Sequence, residues 1–229
     1  MSGYCDIAPS DPWHAPYHER EYGFPLADDR ALFERLVLEI MQAGLSWHLI
    51  LKRRDSFRAA FEDFDLQRVA AYGARERQRL LADPGVIRNR LKIDAVIDNA
   101  QRIIDLRDQF GSFDAWLAHH HPADKADWVK LFRKTFRFTG PEIVGEFLMS
   151  IGYLPGAHRP TCPVYQRIVA LEPPWMRDQE ARPAPRKPAT KMPAHEKPAT
   201  KKTAAKKAAS KAQGRKKTAR PGGLARKKR

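Results

Sequence analysis

Residues 38–47 read LEIMQAGLSW, the end of an apolar helical run followed by a small-residue turn and a tryptophan. Upstream, Leu32, Phe33, Leu36, Val37, Ile40 and Met41 recur at helical spacing, and Asp28 and Asp29 stand where a helix needs side-chain acceptors for its first N–H groups. Gly44 ends that helix. Glu39 falls at the border of the apolar arc, beside Leu32, Leu36 and Ala43. Spacing leaves two readings of it open. It is either a carboxylate turned to solvent or one that lines a pocket walled by the neighbouring aromatics.

Downstream, residues 47–61 predict a second helix with an apolar side (Trp47, Ile50, Leu51, Phe57, Phe61) and a basic side including Lys52, Arg53 and Arg54. Short helical pieces follow at 69–72 and 76–81, then a long amphipathic run over 86–106 broken near Asn89, and another short helix over 113–119. Residues 127–134, 136–140 and 141–152 read as helix, tight hairpin and helix, with Pro141 at a first helical position, where its missing N–H costs nothing. Residues 1–25 read as an irregular segment with a short helix near 12–18, laid against the core by its aromatic content. Period-two alternation between hairpin turns is lacking, so the expected fold class is all-α.

The formal net charge of +15 is unevenly placed. From Arg182 to Arg229 there are eighteen Lys or Arg and one acid, Glu196, while residues 1–181 carry 24 basic and 26 acidic side chains. A polyanion-binding tail over 181–229 is therefore expected to follow a helical domain over 1–180. The tail is Lys, Ala, Pro and Thr with KPATK at both 187–191 and 197–201, a composition that cannot bury enough apolar surface to order itself. It resembles the basic arms of linker histones and nucleoid proteins. No apolar run reaches the roughly 20 residues of a membrane span, and no charged-then-apolar leader is read at the start. A soluble, cytoplasmic protein of the bacterial nucleoid is expected, with no membrane partner. One small core without heptads makes it a monomer.

Cys5 and His18 in the first segment, with His158 and Cys162 near the end of the folded part, hold all the cysteine in the chain. A two-plus-two thiolate and imidazole set is what tetrahedral zinc takes. Scattered buried cysteines and histidines satisfy the same spacing, and both readings stand at this level. His119, His120 and His121 form a rival donor cluster, but consecutive residues point in different directions, and a solvated helix end accounts for them.

Taken together, residues 4–165 resemble the 3-methyladenine DNA glycosylase I family of the helix-hairpin-helix superfamily. The resemblance is carried by Leu38-Glu39 ahead of QAGLSW at 42–47, by YHEREYG at 17–23, GVIRNRLKIDAVIDNA at 85–100 and FRFTGPEIVGEFLMSIG at 136–152, and by the two Cys/His pairs. It implies a helix-hairpin-helix glycosylase fold whose N- and C-terminal segments are joined by one structural zinc ion on Cys5, His18, His158 and Cys162. It implies that Glu39 is the pocket carboxylate and that Tyr17 and Trp47 enclose the base, with His14 and Tyr22 on the facing wall. That wall departs from the family, which usually has Trp at Ile7, often Tyr at His14 and Trp at Tyr22.

The implied function is base-excision repair: hydrolysis of the N-glycosidic bond of alkylated bases, chiefly 3-methyladenine, in double-stranded DNA. Leu45 is the candidate wedge for the emptied position, with Gln42 beside it; Arg137 is the candidate phosphate contact, and Thr139 and Gly140 offer hairpin amides. The rivals are an inactive zinc-containing DNA-binding protein and a glycosylase for a different damaged base, both prompted by the changed wall.

Overall fold

The computed structural model describes residues 3–181, and among them there is no strand. The first segment is more ordered than expected, forming α1 (Tyr4–Ile7) and α2 (His14–Arg20). Asp11 accounts for the second: its Oδ1 accepts from the N–H groups of Trp13 at 2.8 Å and His14 at 3.1 Å, supplying an acceptor that the helix start lacks. Helix α3 (Asp29–Gln42) begins where Asp28 accepts from the Ala31 N–H at 2.8 Å. Every residue from Leu32 to Met41 is buried, Glu34, Arg35 and Glu39 included. A helix covered on all sides is the centre of a domain. The solvent-facing reading of Glu39 is thereby corrected, because other helices cover that face. Beyond Gln42 the backbone leaves the helix at Ala43, and Gly44 turns the chain with φ of +78°.

A single helix over 47–61 does not form. The chain makes α4 (Trp47–Lys52) and α5 (Arg54–Ala60), separated at Arg53. The break turns Arg54 inward, where it donates to both oxygens of Glu21 at 2.6 and 2.8 Å and, through Nε, to Glu34 at 2.7 Å. Arg35 adds a bond to Glu21 at 2.9 Å, and Arg58 adds two to Glu34 at 2.9 and 3.3 Å. Three guanidiniums and two carboxylates thus knit the end of α2 to α3 and α5, so Arg54 belongs to an internal ion network and not to a basic surface.

Two short helices, α6 (Leu66–Ala70) and α7 (Ala74–Ala82), precede the long α8 (Arg90–Phe110). Asn89 caps α8 by accepting from Leu91 and Lys92 at 3.0 and 3.3 Å, so the helix starts after Val86, which is buried in the preceding turn. After α9 (Phe113–His120), helices α10 (Lys125–Thr135) and α11 (Pro141–Ser150) flank the expected hairpin. His120 folds back onto the Trp116 carbonyl at 2.9 Å. Rings of Phe113, Trp116, Phe132, Phe136 and Phe147 pack at centroid distances of 5.3–6.1 Å beneath the hairpin. Burying each such ring is worth roughly 1.5–3 kcal/mol.

His158 and Cys162 lie in an irregular stretch, and two helices that the sequence reading did not place follow it, α12 (Pro163–Val169) and α13 (Pro174–Ala181). Each proline sits at a first helical position, where it starts a helix and does not stop one. The Trp175 N–H donates to the Gly152 carbonyl at 3.1 Å, tying α13 to the chain after α11. The basic tail from residue 182 lies outside the described residues. No described helix is long and apolar enough to cross a membrane.

Candidate active site: an aromatic cavity with a buried glutamate

Helices α1 to α4 and α11 enclose a cavity of 480 Å³. One wall is aromatic. Tyr17 stacks on Tyr22 at 5.6 Å and 30°, and meets the edge of Trp47 at 5.1 Å. Tyr4 packs against His14 and Tyr22, each at 5.6 Å. Glu39 contributes to the lining from the centre of α3 and is only 4% exposed. Among the described residues none hydrogen-bonds its carboxylate. Burial first, and the nearby Glu146 second, push its pKa up to about 8, with Arg35 working in the opposite direction. Arg35 lies behind the wall: its guanidinium is 4.8 Å from the Tyr17 ring centroid and donates to the Tyr17 hydroxyl at 3.2 Å. Burial pushes the phenols of Tyr4, Tyr17 and Tyr22 up, so all three are neutral donors.

The residues expected to hold a base, His14, Tyr17, Tyr22 and Trp47, all line this cavity with Glu39, and so does Ile7. Trp13 is 43% exposed and is not among the lining residues. Sequence reasoning missed Ser46, His48 and Glu146 as lining residues. Glu146 accepts from the Tyr22 hydroxyl at 3.1 Å. Its signal was available: it is the one acid in the otherwise apolar stretch 143–151.

A second groove adjoins the cavity, bounded by the Gly44 turn and the start of α11. Gln42 lines both, and Leu45 projects beside Gly140 with 39% of its surface exposed. Lys92 holds this turn, with Nζ donating to the carbonyls of Met41 at 2.9 Å and Ala43 at 2.7 Å. In the hairpin, Asn99 exchanges two bonds with the main chain of Arg137, at 2.7 and 3.0 Å. The Arg137 guanidinium is exposed and paired with Asp98. Thr139 is buried and donates its hydroxyl to the Phe136 carbonyl at 3.3 Å, so its side chain braces the hairpin. The main-chain N–H groups of Phe138, Thr139 and Gly140 have no acceptor among the described residues.

Cys5, His18, His158 and Cys162 come together with all four donor atoms within 4.8 Å of one another. The His158 Nδ1 lies 3.7 Å from the Cys5 sulfur and 3.4 Å from the Cys162 sulfur, and the His18 Nε2 lies 3.6 Å from the latter. Tetrahedral zinc with ordinary Zn–S and Zn–N bonds separates such atoms by about 3.5 Å, so the donor set fits that ion. His158 Nε2 donates to the Tyr22 carbonyl at 2.8 Å, which leaves Nδ1 as the lone-pair nitrogen facing the sulfurs. Burial holds both imidazoles below their usual range, in the neutral form that a metal takes.

A methyladenine glycosylase family model matches residues 7–130. The chain belongs to the methyladenine glycosylase family. It is 34% identical to DNA-3-methyladenine glycosylase 1 of Escherichia coli K12 over 167 residues, covering 65% of this chain and 89% of that protein. With DNA-3-methyladenine glycosylase of Haemophilus influenzae the identity is 31% over 182 residues, 71% of this chain and 98% of the relative. Among solved structures, 3-methyladenine DNA glycosylase I from Staphylococcus aureus aligns with a TM-score of 0.63 at 30% identity, over 71% of this chain and 97% of that one. A tyrosine-to-phenylalanine variant of such an enzyme, solved in complex with 3-methyladenine, aligns at 0.64 with 30% identity over the same shares. The all-helical fold is thus that of the 3-methyladenine DNA glycosylases I. Within this methyladenine glycosylase, the hairpin, Glu146, His158 and Cys162 lie beyond the stretch that the family model matches.

Proposed function

We propose that the protein removes alkylated bases, chiefly 3-methyladenine, from double-stranded DNA in base-excision repair. The observation that carries this is the buried Glu39 carboxylate, without a protein hydrogen-bond partner among the described residues, in an aromatic cavity that no described lysine or arginine lines. A flat base made cationic by alkylation complements it through stacking, cation–π attraction and charge. The enzyme works as a monomer, since one chain supplies the whole cavity, and its place is the cytoplasm, where its DNA lies.

The base leaves the stack and enters the cavity. Leu45, at the tip of the exposed turn, fills the vacated position, while Gln42 lines the passage between groove and cavity. The free amides of Phe138, Thr139 and Gly140 hold a backbone phosphate, and Arg137 adds its charge when it exchanges Asp98 for phosphate. In the chemical step the C1′–N bond breaks and its electron pair goes to the base, cancelling the ring's positive charge. Water forms the new C1′–O bond and releases a proton. Glu39 holds the cationic base and its developing partner charge by electrostatics, without abstracting a proton.

A zinc ion on Cys5, His18, His158 and Cys162 would be structural, since four protein ligands leave no open position for water. Held by these residues, it would join α1 and α2 to the chain after α11.

The test is to incubate the protein with methylated duplex DNA and to separate the released bases by chromatography. Free 3-methyladenine from the wild type, and far less from Glu39→Gln, is the expected outcome. A protein that binds DNA and releases no base is instead a zinc-containing binding module. Ile7, His14 and Tyr22 all line the cavity, which favours one second reading, a glycosylase for another damaged base; a lesion panel in the same assay decides it.

A further inference from the structure

Glu146 takes no part in the scheme above, yet it stands at its centre. It stands on α11, lines the cavity with the α2 and α4 aromatics, and accepts from the Tyr22 hydroxyl at 3.1 Å. It lines both the cavity that holds Glu39 and the groove beneath the Gly44 turn, the only one besides Gln42 among the described residues to line these two. No lysine or arginine is among the described lining residues. Arg35 is screened by the Tyr17 ring and committed to Glu21. Lys92 is turned to the carbonyls of Met41 and Ala43. At the rim, His14 is held below the usual imidazole range by burial, and His48 faces Asp11 at 3.2 Å. Two carboxylates therefore share one cavity whose described lining holds no cation, with Arg35 behind the Tyr17 ring as the nearby positive charge. Glu146 raises the cost of ionising Glu39, and a ligand that brings positive charge into the cavity relieves it.

We propose that Glu146 is a second recognition residue: with Glu39 it makes the cavity selective for a purine that is cationic and offers hydrogen-bond donors in two directions, over a neutral purine of the same size. The proposal rests on the reading of the cavity as a base pocket. An N3-alkylated adenine satisfies it through the two hydrogens of its exocyclic amine. An N7-alkylated guanine satisfies it through its ring N–H and exocyclic amine, and is therefore admitted as well. Neutral hypoxanthine has one ring N–H and an adjacent carbonyl, which a second carboxylate repels. The Tyr22 hydroxyl, by donating to one Glu146 oxygen, orients the carboxyl and leaves its other oxygen for the ligand.

The full-length protein and Glu146→Gln are compared by calorimetric titration with N7-methylguanosine and with guanosine, at a mildly acidic pH that keeps the methylated nucleoside cationic; the free protein's Glu39 holds its proton there, so the preference read is the one Glu146 supplies. Glutamine keeps the size and the acceptor for Tyr22 and removes only the charge. The wild type is expected to prefer the cation, and the variant to lose about tenfold of that preference or more, with its melting temperature unchanged. A purely structural role would leave the ratio intact. An unchanged ratio in the variant, or no preference in the wild type, overturns the proposal. Loss of preference supports it even if neither protein releases a base from DNA, an outcome that would sink the glycosylase reading and leave the cation-selective cavity standing.

Discussion

His158 Nε2 donates to the carbonyl oxygen of Tyr22 at 2.8 Å, so the Cys/His cluster and the aromatic cavity share a wall. The Tyr22 ring in turn stacks on Tyr17, and its hydroxyl reaches Glu146. Whatever fixes His158 therefore fixes one side of the cavity.

Replacing Cys162 by serine tests this coupling. The wild type is expected to carry a single zinc ion by elemental analysis and the variant none. Loss of a structural metal should lower the melting temperature by more than about 5 °C, since 1 kcal/mol moves a domain of this size by about 2–4 °C. Base release should fall with it, because the Tyr22 wall is no longer held. Equal zinc content in both proteins would remove the cluster from the account.

Glu39→Gln should lower kcat/KM for excision by roughly 10²-fold, the usual loss for one preorganised electrostatic group. For the wild type, kcat/KM should rise with pH to a plateau above about pH 8, where the free protein's Glu39 is ionised, and the variant should lack this limb. Stability behaves in the opposite sense. The folded state keeps the proton up to about pH 8, while the unfolded chain releases it near 4.5, so folded protein binds more protons across that window. Wild-type stability is therefore expected to fall relative to the variant by up to about 1.4 kcal/mol per pH unit between these values, and then to level off. Parallel denaturant titrations of both proteins across this range measure it; a constant difference would mean that the carboxyl is not perturbed.

Local chemistry explains what could be read in the sequence. Asp28, Asn89 and Pro141 start their helices where the residue types say they should, and Gly44 turns the chain after α3. The aromatic residues and the glutamate that line the cavity were legible through a family likeness concentrated in short ordered motifs. What could not be read depends on pairs far apart in the chain. Tyr22 and Glu146 are separated by 124 positions. The burial of α3 on every side was invisible for the same reason: Glu34 and Arg35 look solvent-facing until Arg54 and Glu21 come to meet them.

Gly23 follows the Tyr22 wall with φ of +85°, and a Cβ there would lie 2.8 Å from Ala157 Cβ and 3.0 Å from Ile168 Cδ1. Its N–H donates to the Ser150 carbonyl at 2.9 Å, so the strand of chain cannot simply back away. Gly23→Ala combines a disfavoured dihedral with a steric clash and is expected to cost about 1–3 kcal/mol. Urea unfolding measures this directly, and a neutral substitution would show that the segment relaxes freely.

Lys92→Met should separate the wedge from the pocket. Nζ donates to Met41 and Ala43 and lies 5.9 Å from the Phe138 ring, so it links the Leu45 turn to the hairpin. Charged hydrogen bonds of this kind are each worth about 1.5–3 kcal/mol, and methionine fills the space without replacing them. Excision from duplex DNA should drop more than calorimetric affinity for a free cationic purine, because the cavity keeps its walls while the turn loses its anchor. Equal losses in the two assays would assign Lys92 to general stability.

Deleting residues 182–229 removes eighteen Lys or Arg and a single acid, and turns a chain of net charge +15 into one slightly acidic. Each phosphate that the tail neutralises releases counterion, steepening the logarithmic dependence of DNA affinity on salt by about 0.9 per contact. The truncated protein should therefore bind undamaged duplex more weakly at low salt, with a flatter salt dependence, in fluorescence anisotropy titrations. Single-turnover excision at saturating enzyme should stay close to that of the full chain, since every residue lining the cavity lies between Tyr4 and Glu146. The tail then acts on the search for damage and not on the bond that is broken. If truncation leaves both the affinity and its salt slope unchanged, the basic segment has another task.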